Sequence, residues 1–160
     1  MSTHPTRYWL MKSEPSDCSI DTALAAPRAT VPWTGVRSYQ ARNFMRDLMH
    51  VGDGVLFYHS SCAEPGIVGL ARIASEVRVD PTQFDPGSPY HDPASKPEAP
   101  RWLLRDVQAL RKTRLLGLNA LRSHTALAEM QVLRRGNRLS ITPVTQQEWV
   151  YLQGLLAEQG

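Results

Sequence analysis

The chain is poor in the features that most readily assign a protein to a class. Its 160 residues include two cysteines and three lysines. Cys18 and Cys62 match no zinc or redox spacing and no disulfide framework, so reduced thiols are expected. No apolar run approaches the roughly 18 residues of a membrane span. Met1 to Arg7 is short and polar, without the apolar centre of a leader, and the expectation is a cytoplasmic protein with no membrane contact. No nucleophile elbow, Gly-rich phosphate loop or HExxH spacing occurs, which removes the commonest hydrolase, nucleotide-binding and metalloprotease signatures. There is no internal repeat and no low-complexity segment.

A hydrophobic content of 42% over this length suits one globular domain, 1–160, that buries its core without covalent staples. The net charge of +3 conceals an asymmetry along the chain. Residues 1–100 hold nine Lys or Arg against eleven Asp or Glu, and residues 101–138 hold nine against two. Arg101, Arg105, Arg111, Lys112, Arg114, Arg122, Arg134, Arg135 and Arg138 can therefore form a phosphate-binding face, because neutralised phosphates dominate affinity for nucleic acid. Solvated surface is the competing reading, and an excess of Arg over Lys also follows from genomic base composition.

Hydrophobic periodicity and punctuation give a strand-rich order. Tyr8–Met11 reads as a buried strand and Ser19–Ala26 as one or two helical turns, followed by a short extended piece at Thr30–Trp33. Ser38 is a candidate N-cap for an amphipathic helix over 38–50, which Gly52-Asp-Gly54 ends, and Val55–Tyr58 reads as a strand. Gly66–Val79 reads as one long strand with Val68, Leu70 and Arg72 on one side and Ile67, Gly69, Ala71 and Ile73 on the other. Asp80–Pro100 contains six prolines and reads as a long loop. Arg101–Thr113 and Asn137–Pro143 read as strands, Leu118–Met130 as a helical segment and Thr145–Ala157 as a terminal helix. This order favours an α+β architecture over a doubly wound α/β fold.

Two of these strands stop abruptly in polar clusters, Lys12-Ser-Glu-Pro15 and His59-Ser60, which core strands rarely need. Together, Tyr8-Trp-Leu-x-Lys-Ser-Glu-Pro15, Trp33-x-Gly-Val-Arg-x-Tyr-Gln-Ala-Arg-Asn43 and Gly52-Asp-x-x-Leu-Phe-Tyr-His-Ser60 resemble the EVE domain family, in particular its short bacterial forms. The resemblance continues through Gly66-Ile-Val-Gly69, Asp80-Pro-Thr-x-Phe-Asp-Pro86, Tyr90-x-Asp-Pro-x-Ser95, Pro100-Arg-Trp102 and Arg138-Leu-Ser140. It implies a PUA-like fold, a small and mostly antiparallel β-barrel with short helices packed around it. It also implies a module that binds nucleic acid, DNA or RNA, and reads one modified base, with no cofactor. The base-reading positions it implies are Lys12, Ser13, Trp33, Val36, Arg37, Asn43, Tyr58, His59 and Ser60. Where Ser-Val-Gln-Pro is expected near the end, this chain has Ser140-Ile-Thr-Pro143, and the shorter Thr142 lacks an amide.

A splayed base needs a flat wall and partners for its edge, since unpaired edge groups in a dry pocket cost more than stacking gains. Trp33, Trp102 and Tyr58 are candidate walls, while Trp9 and Trp149 read as core. Gln40 and Asn43 share a helix face and offer amide donors and acceptors, with a structural bond to a nearby loop as the alternative. Lys12 can face a ligand or pair with Glu14 or Asp17. Arg37 can hold a phosphate or, our preference, lock a loop through a carboxylate such as Asp92. The alternative to a base reader is an enzyme or binder for a free modified nucleoside or other small molecule, using Lys12 and His59 as an acid/base pair. Cys62 near His59 lacks the third group of a triad, His91, Asp92 and His59 lack a second metal-ligand cluster, and no patch suggests a pure adaptor.

Overall fold

The computed structural model describes residues 5–157; the first four residues of the polar N-terminal stretch and residues 158–160 of the expected 1–160 domain lie outside the described residues. The strands are β1 (Tyr8–Ser13), β2 (Thr30–Pro32), β3 (Gly54–His59), β4 (Gly66–Ile73), β5 (Arg78–Val79), β6 (Leu103–Leu104), β7 (Asp106–Gly117) and β8 (Ile141–Val144). The helices are α1 (Ile20–Ala25), α2 (Tyr39–Asn43), α3 (Leu118–Arg122) and α4 (Gln146–Ala157). Six strands form one mixed sheet in the order β2-β7-β4-β3-β1-β8, and β5 pairs with β6 apart from it. The β1–β3 pairing is parallel and the other pairings are antiparallel. Among the described residues the two edge strands β2 and β8 do not pair, so the α+β sheet is not closed into the barrel expected from the resemblance.

Both faces of the sheet are covered, which is why its central strands read as nearly continuous apolar runs rather than as alternating ones. Trp9, Met11, Phe57, Ala71 and Ile73 face one cluster with Ile20, Trp33 and Met45. Leu10, Leu56, Tyr58, Ile67 and Leu70 face the other, with Leu116, Leu121 and Leu152. Residues alternate between the clusters along β1 and β3 as strand geometry requires. On β4 the expected faces are redistributed, with Val68 beside Ala71 and Ile73, and Ile67 beside Leu70. Val68 is an extra residue on β4 between the Phe57–Gly69 and Tyr58–Ile67 pairs, which breaks the alternation, and on the other flank β7 carries extra residues between the partners of Ile67 and Gly69 and of Leu70 and Ala71. At Gly69 a Cβ would approach Ile20 Cδ1 to 2.5 Å, so glycine is what lets α1 lie on the sheet.

Local chemistry accounts for the helix starts. Ser19 Oγ accepts from Thr22 N and Ser38 Oγ from Ala41 N, each the side-chain cap of a short helix. α4 begins with a reciprocal box in which Thr145 N donates to Glu148 Oε1 and Glu148 N to Thr145 Oγ1. The helix expected over 38–50 is α2 followed by a π-helical turn at Phe44–Leu48.

Other spans differ from expectation for identifiable reasons. Gly66–Val79 is broken after Ile73, and Arg78–Val79 leaves to pair with Leu103–Leu104. Arg101–Thr113 is interrupted at Arg105, whose guanidinium turns inward to three carbonyl oxygens, of Met45, Ser75 and Met49. Leu118–Met130 is helical only to Arg122, with 3-10 turns at Thr125–Leu127 and Gln131–Leu133. The strand expected from Asn137 begins at Ile141, since a turn with Gly136 at φ +77° occupies its start.

Candidate nucleic-acid interface

Parallel pairing aligns the two polar strand ends. Lys12 lies beside Tyr58 and Ser13 beside His59, and the ladder continues past the strands with Ser60 N donating to the Ser13 carbonyl. On the other flank of β1, Lys12 N donates to the Ser140 carbonyl, which brings Arg138 and Ser140 to the same end of the sheet. A cavity of about 580 Å³ opens there, within the ~300–1,000 Å³ usual for small-ligand sites. Its walls include Lys12, Ser13, Trp33, Val36 and Ser60, five of the nine positions implied by the resemblance. Glu14, Asp17, Cys18, Tyr90, Arg138 and Ser140 also line it, none of which had been placed among the base-reading positions.

The proline-rich loop supplies Tyr90 to this cavity and is held by a satisfied polar network. Asp80 is fully buried and accepts from Gly35 N, Thr82 N, Thr82 Oγ1 and Arg37 Nη1. Burial alone would raise its carboxyl, but these hydrogen bonds outweigh that effect and hold it below the ordinary value. Arg37 also donates to the Tyr90 carbonyl at 2.7 and 3.1 Å, and to Thr82 Oγ1. It is therefore a loop lock, but with Asp80 rather than Asp92 as its carboxylate. Asp92 instead accepts from Trp102 Nε1 at 2.7 Å. Buried Gln83 ties the loop base, donating to the Asp80 and Trp102 carbonyls while accepting from Ser95 Oγ. Gly35, at φ +83°, lies directly beneath the Tyr90 ring.

Among the described residues the cavity is electrically balanced, with two cations, Lys12 and Arg138, against two carboxylates, Glu14 and Asp17. Tyr90 donates its phenol proton to Asp17, a bond that pushes its pKa up to about 12, with burial adding to the effect. Burial lowers the Lys12 ammonium pKa, and its Nζ sits 5.9 Å from the Tyr58 ring centroid. Burial, reinforced by Asp17, raises the Cys18 thiol and so disfavours a thiolate nucleophile. Serine hydroxyls, a phenol and mixed charges give both donors and acceptors around an aromatic wall. Among the described residues no group of three His, Cys, Asp or Glu is arranged to hold a metal ion, and no helix is long and apolar enough to cross a membrane.

The remaining expected residues lie elsewhere. Trp33 is 6% exposed and meets Phe57 edge-on, so it presents little more than a strip to the cavity. Trp102 is stacked under Tyr39 with the Arg37 guanidinium over it. Asn43 Oδ1 accepts from the Arg42 guanidinium, and Asn43 does not line the cavity. Gln40 is exposed on α2 and Thr142 is buried opposite Leu10; neither lines it. His59 Nε2 accepts from Ile20 N, and burial lowers its pKa. His59 shares a sheet face with Phe57 whereas Lys12 shares one with Tyr58, so the strand separates the supposed acid/base pair. Tyr58 lines a second cavity, described below, rather than the first.

The basic residues also divide. Arg105 is 3% exposed and fully used by backbone carbonyls, which removes it from any phosphate-binding face. Lys112 pairs with Asp21 at 3.1 Å, Arg114 Nε donates to the Leu155 carbonyl, and Arg101 stands 4.0 Å from Asp92. Arg111 is exposed on β7. Arg122, Arg134 and Arg135 gather around the second cavity.

The EVE domain family model matches residues 7–155. The chain belongs to the EVE domain family. Mouse thymocyte nuclear protein 1 is 42% identical over 168 residues, covering 94% of this chain and 74% of the mouse protein. A crystal structure of the human THYN1 protein in complex with DNA containing 5-methylcytosine superposes with a TM-score of 0.90 at 40% identity, over 97% of this EVE chain and 100% of that one. A Pseudomonas putida protein of known structure is 44% identical with a TM-score of 0.87, over 92% and 98% of the two chains.

Proposed function

We propose that this EVE domain binds nucleic acid and reads one base, a modified one, in the cavity at the ends of β1 and β3. The observation that carries the reading is the charge balance, among the described residues, of a cavity roomy enough for a base, walled by Trp33 and Tyr90 and edged with hydroxyls. An uncharged base presents donors and acceptors but no net charge, and such a lining can match its edge without burying an unpaired ion. The human relative solved with 5-methylcytosine DNA makes that base the first ligand to try. The protein acts as a reader rather than a catalyst: burial raises the pKa of the cavity's thiol, which disfavours a thiolate, and among the described residues no histidine lines it.

Tyr90→Ala tests this reading more cleanly than Trp33→Ala, which would also leave a core void beside Phe57. The expected outcome is loss of discrimination between 5-methylcytosine and cytosine oligonucleotides, with salt-dependent binding retained. Unchanged discrimination in Tyr90→Ala, in a variant that melts as a folded protein, would contradict it.

A further inference from the structure

Beside the base cavity lies a second one of about 540 Å³ with a different electrical character. Lys12, Arg122, Arg134 and Arg135 line it, and among the described residues none of its lining is acidic. Among the described residues the first cavity sets two cations against two carboxylates, whereas the second adds three arginines to the shared Lys12 and no carboxylate. Lys12 lines both, so it marks their shared boundary. The second cavity also has a shaped polar floor. Asn137 closes the turn after Arg134 by donating its backbone N–H to the Arg134 carbonyl, while its side-chain amide donates to the Gln131 carbonyl. Gly136, at φ +77° with nothing within 4 Å of where a Cβ would stand, leaves the turn's backbone open. The Tyr58 ring and Val132 form the apolar side.

We propose that this second cavity is a phosphate subsite, taking the phosphate attached to the nucleotide whose base occupies the first cavity, with Lys12 between base and phosphate. The assignment of the first cavity rests on the proposed function; that of the second rests on its own uncompensated charge. Clustered cations without a carboxylate repel one another and together attract an anion, and a phosphate relieves that repulsion while its oxygens accept several guanidinium hydrogen bonds at once. The two cavities together select a nucleotide within a chain, or one carrying a phosphate, over a free nucleoside. Arg122 and the Arg134–Arg135 turn are thereby the phosphate-gripping part of the basic segment, whereas buried Arg105 serves the fold.

The test uses 5-methyldeoxycytidine and its 3′- and 5′-monophosphates with the full chain and with the Arg134→Gln/Arg135→Gln variant, both residues being exposed. One monophosphate should bind the parent about tenfold or more tightly than the nucleoside, as expected for one or more charge-assisted hydrogen bonds. The variant should lose that gain while its nucleoside affinity stays unchanged. In parallel, inorganic phosphate alone should shift the backbone amide resonances of Gly136 and Asn137 in the parent but not in the variant. No gain from either phosphate, or an equal gain in the variant, overturns the subsite. Loss of the phosphate gain together with equal binding of methylated and plain cytosine would support the subsite and overturn the base-reading proposal, so the two fail separately.

Discussion

Gly35→Ala tests how the loop and the base cavity are built against each other. The added Cβ would lie 2.6 Å from Tyr90 Cζ and 2.7 Å from Cε1. The backbone there cannot simply flip to negative φ, because Gly35 N donates to buried Asp80 at 3.0 Å. Left-handed backbone costs an L-residue roughly 1–2 kcal/mol. Displacing the ring adds the loss of the Tyr90–Asp17 hydrogen bond, about 0.5–1.5 kcal/mol for a bond of this exposure. The sum, about 1.5–3.5 kcal/mol, lowers Tm by roughly 3–14 °C for a chain of this size. Removing the ring removes the clash, so Gly35→Ala/Tyr90→Ala should be less destabilised than the sum of the single variants by about 1 kcal/mol. Thermal unfolding of the four proteins measures this. Additive effects, or a Gly35→Ala protein that melts with the parent, would refute the packing argument.

Arg105→Ala should destabilise by about 3 kcal/mol or more, since it orphans the carbonyl oxygens of Met45, Met49 and Ser75. Its residual nucleic-acid binding should keep the parent's salt slope, measured by titration at several salt concentrations. The Asp80 carboxyl is held below its ordinary value of 3.8 when folded, so its stabilising contribution is complete above that range and is lost as pH falls through the lowered value. The protection factors of amides in residues 80–100, with the pH dependence of intrinsic exchange divided out, should therefore fall in acid in the parent, while an Asp80→Asn protein shows no such step.

Local signals carried much of the fold. Ser19 and Ser38 cap the helices they precede, and the two-sided burial of β1, β3 and β4 left apolar runs that read directly as strands. Tertiary pairing was much less legible. Nothing in Gly66–Ile73 announces two register shifts, which depend on how β7 lies against it. The same limit applies to the site. The abrupt strand endings at Lys12-Ser13 and His59-Ser60 were visible, but only the parallel pairing of β1 with β3 brings them together. The Tyr90 to Asp17 and Arg37 to Asp80 contacts span 73 and 43 residues of sequence, so Tyr90's role and the identity of Arg37's carboxylate were decided by the folded loop. Arg105 looked like its basic neighbours because charge along a sequence does not report burial.

The central claim is most directly tested by fluorescence-anisotropy titration with matched DNA and RNA oligonucleotides carrying cytosine, 5-methylcytosine or 5-hydroxymethylcytosine, at two salt concentrations. A preference for one modified base that persists at the higher salt is the predicted result, since base contacts are screened far less than phosphate contacts. Equal binding to all members that fades together with salt would contradict a base-reading cavity.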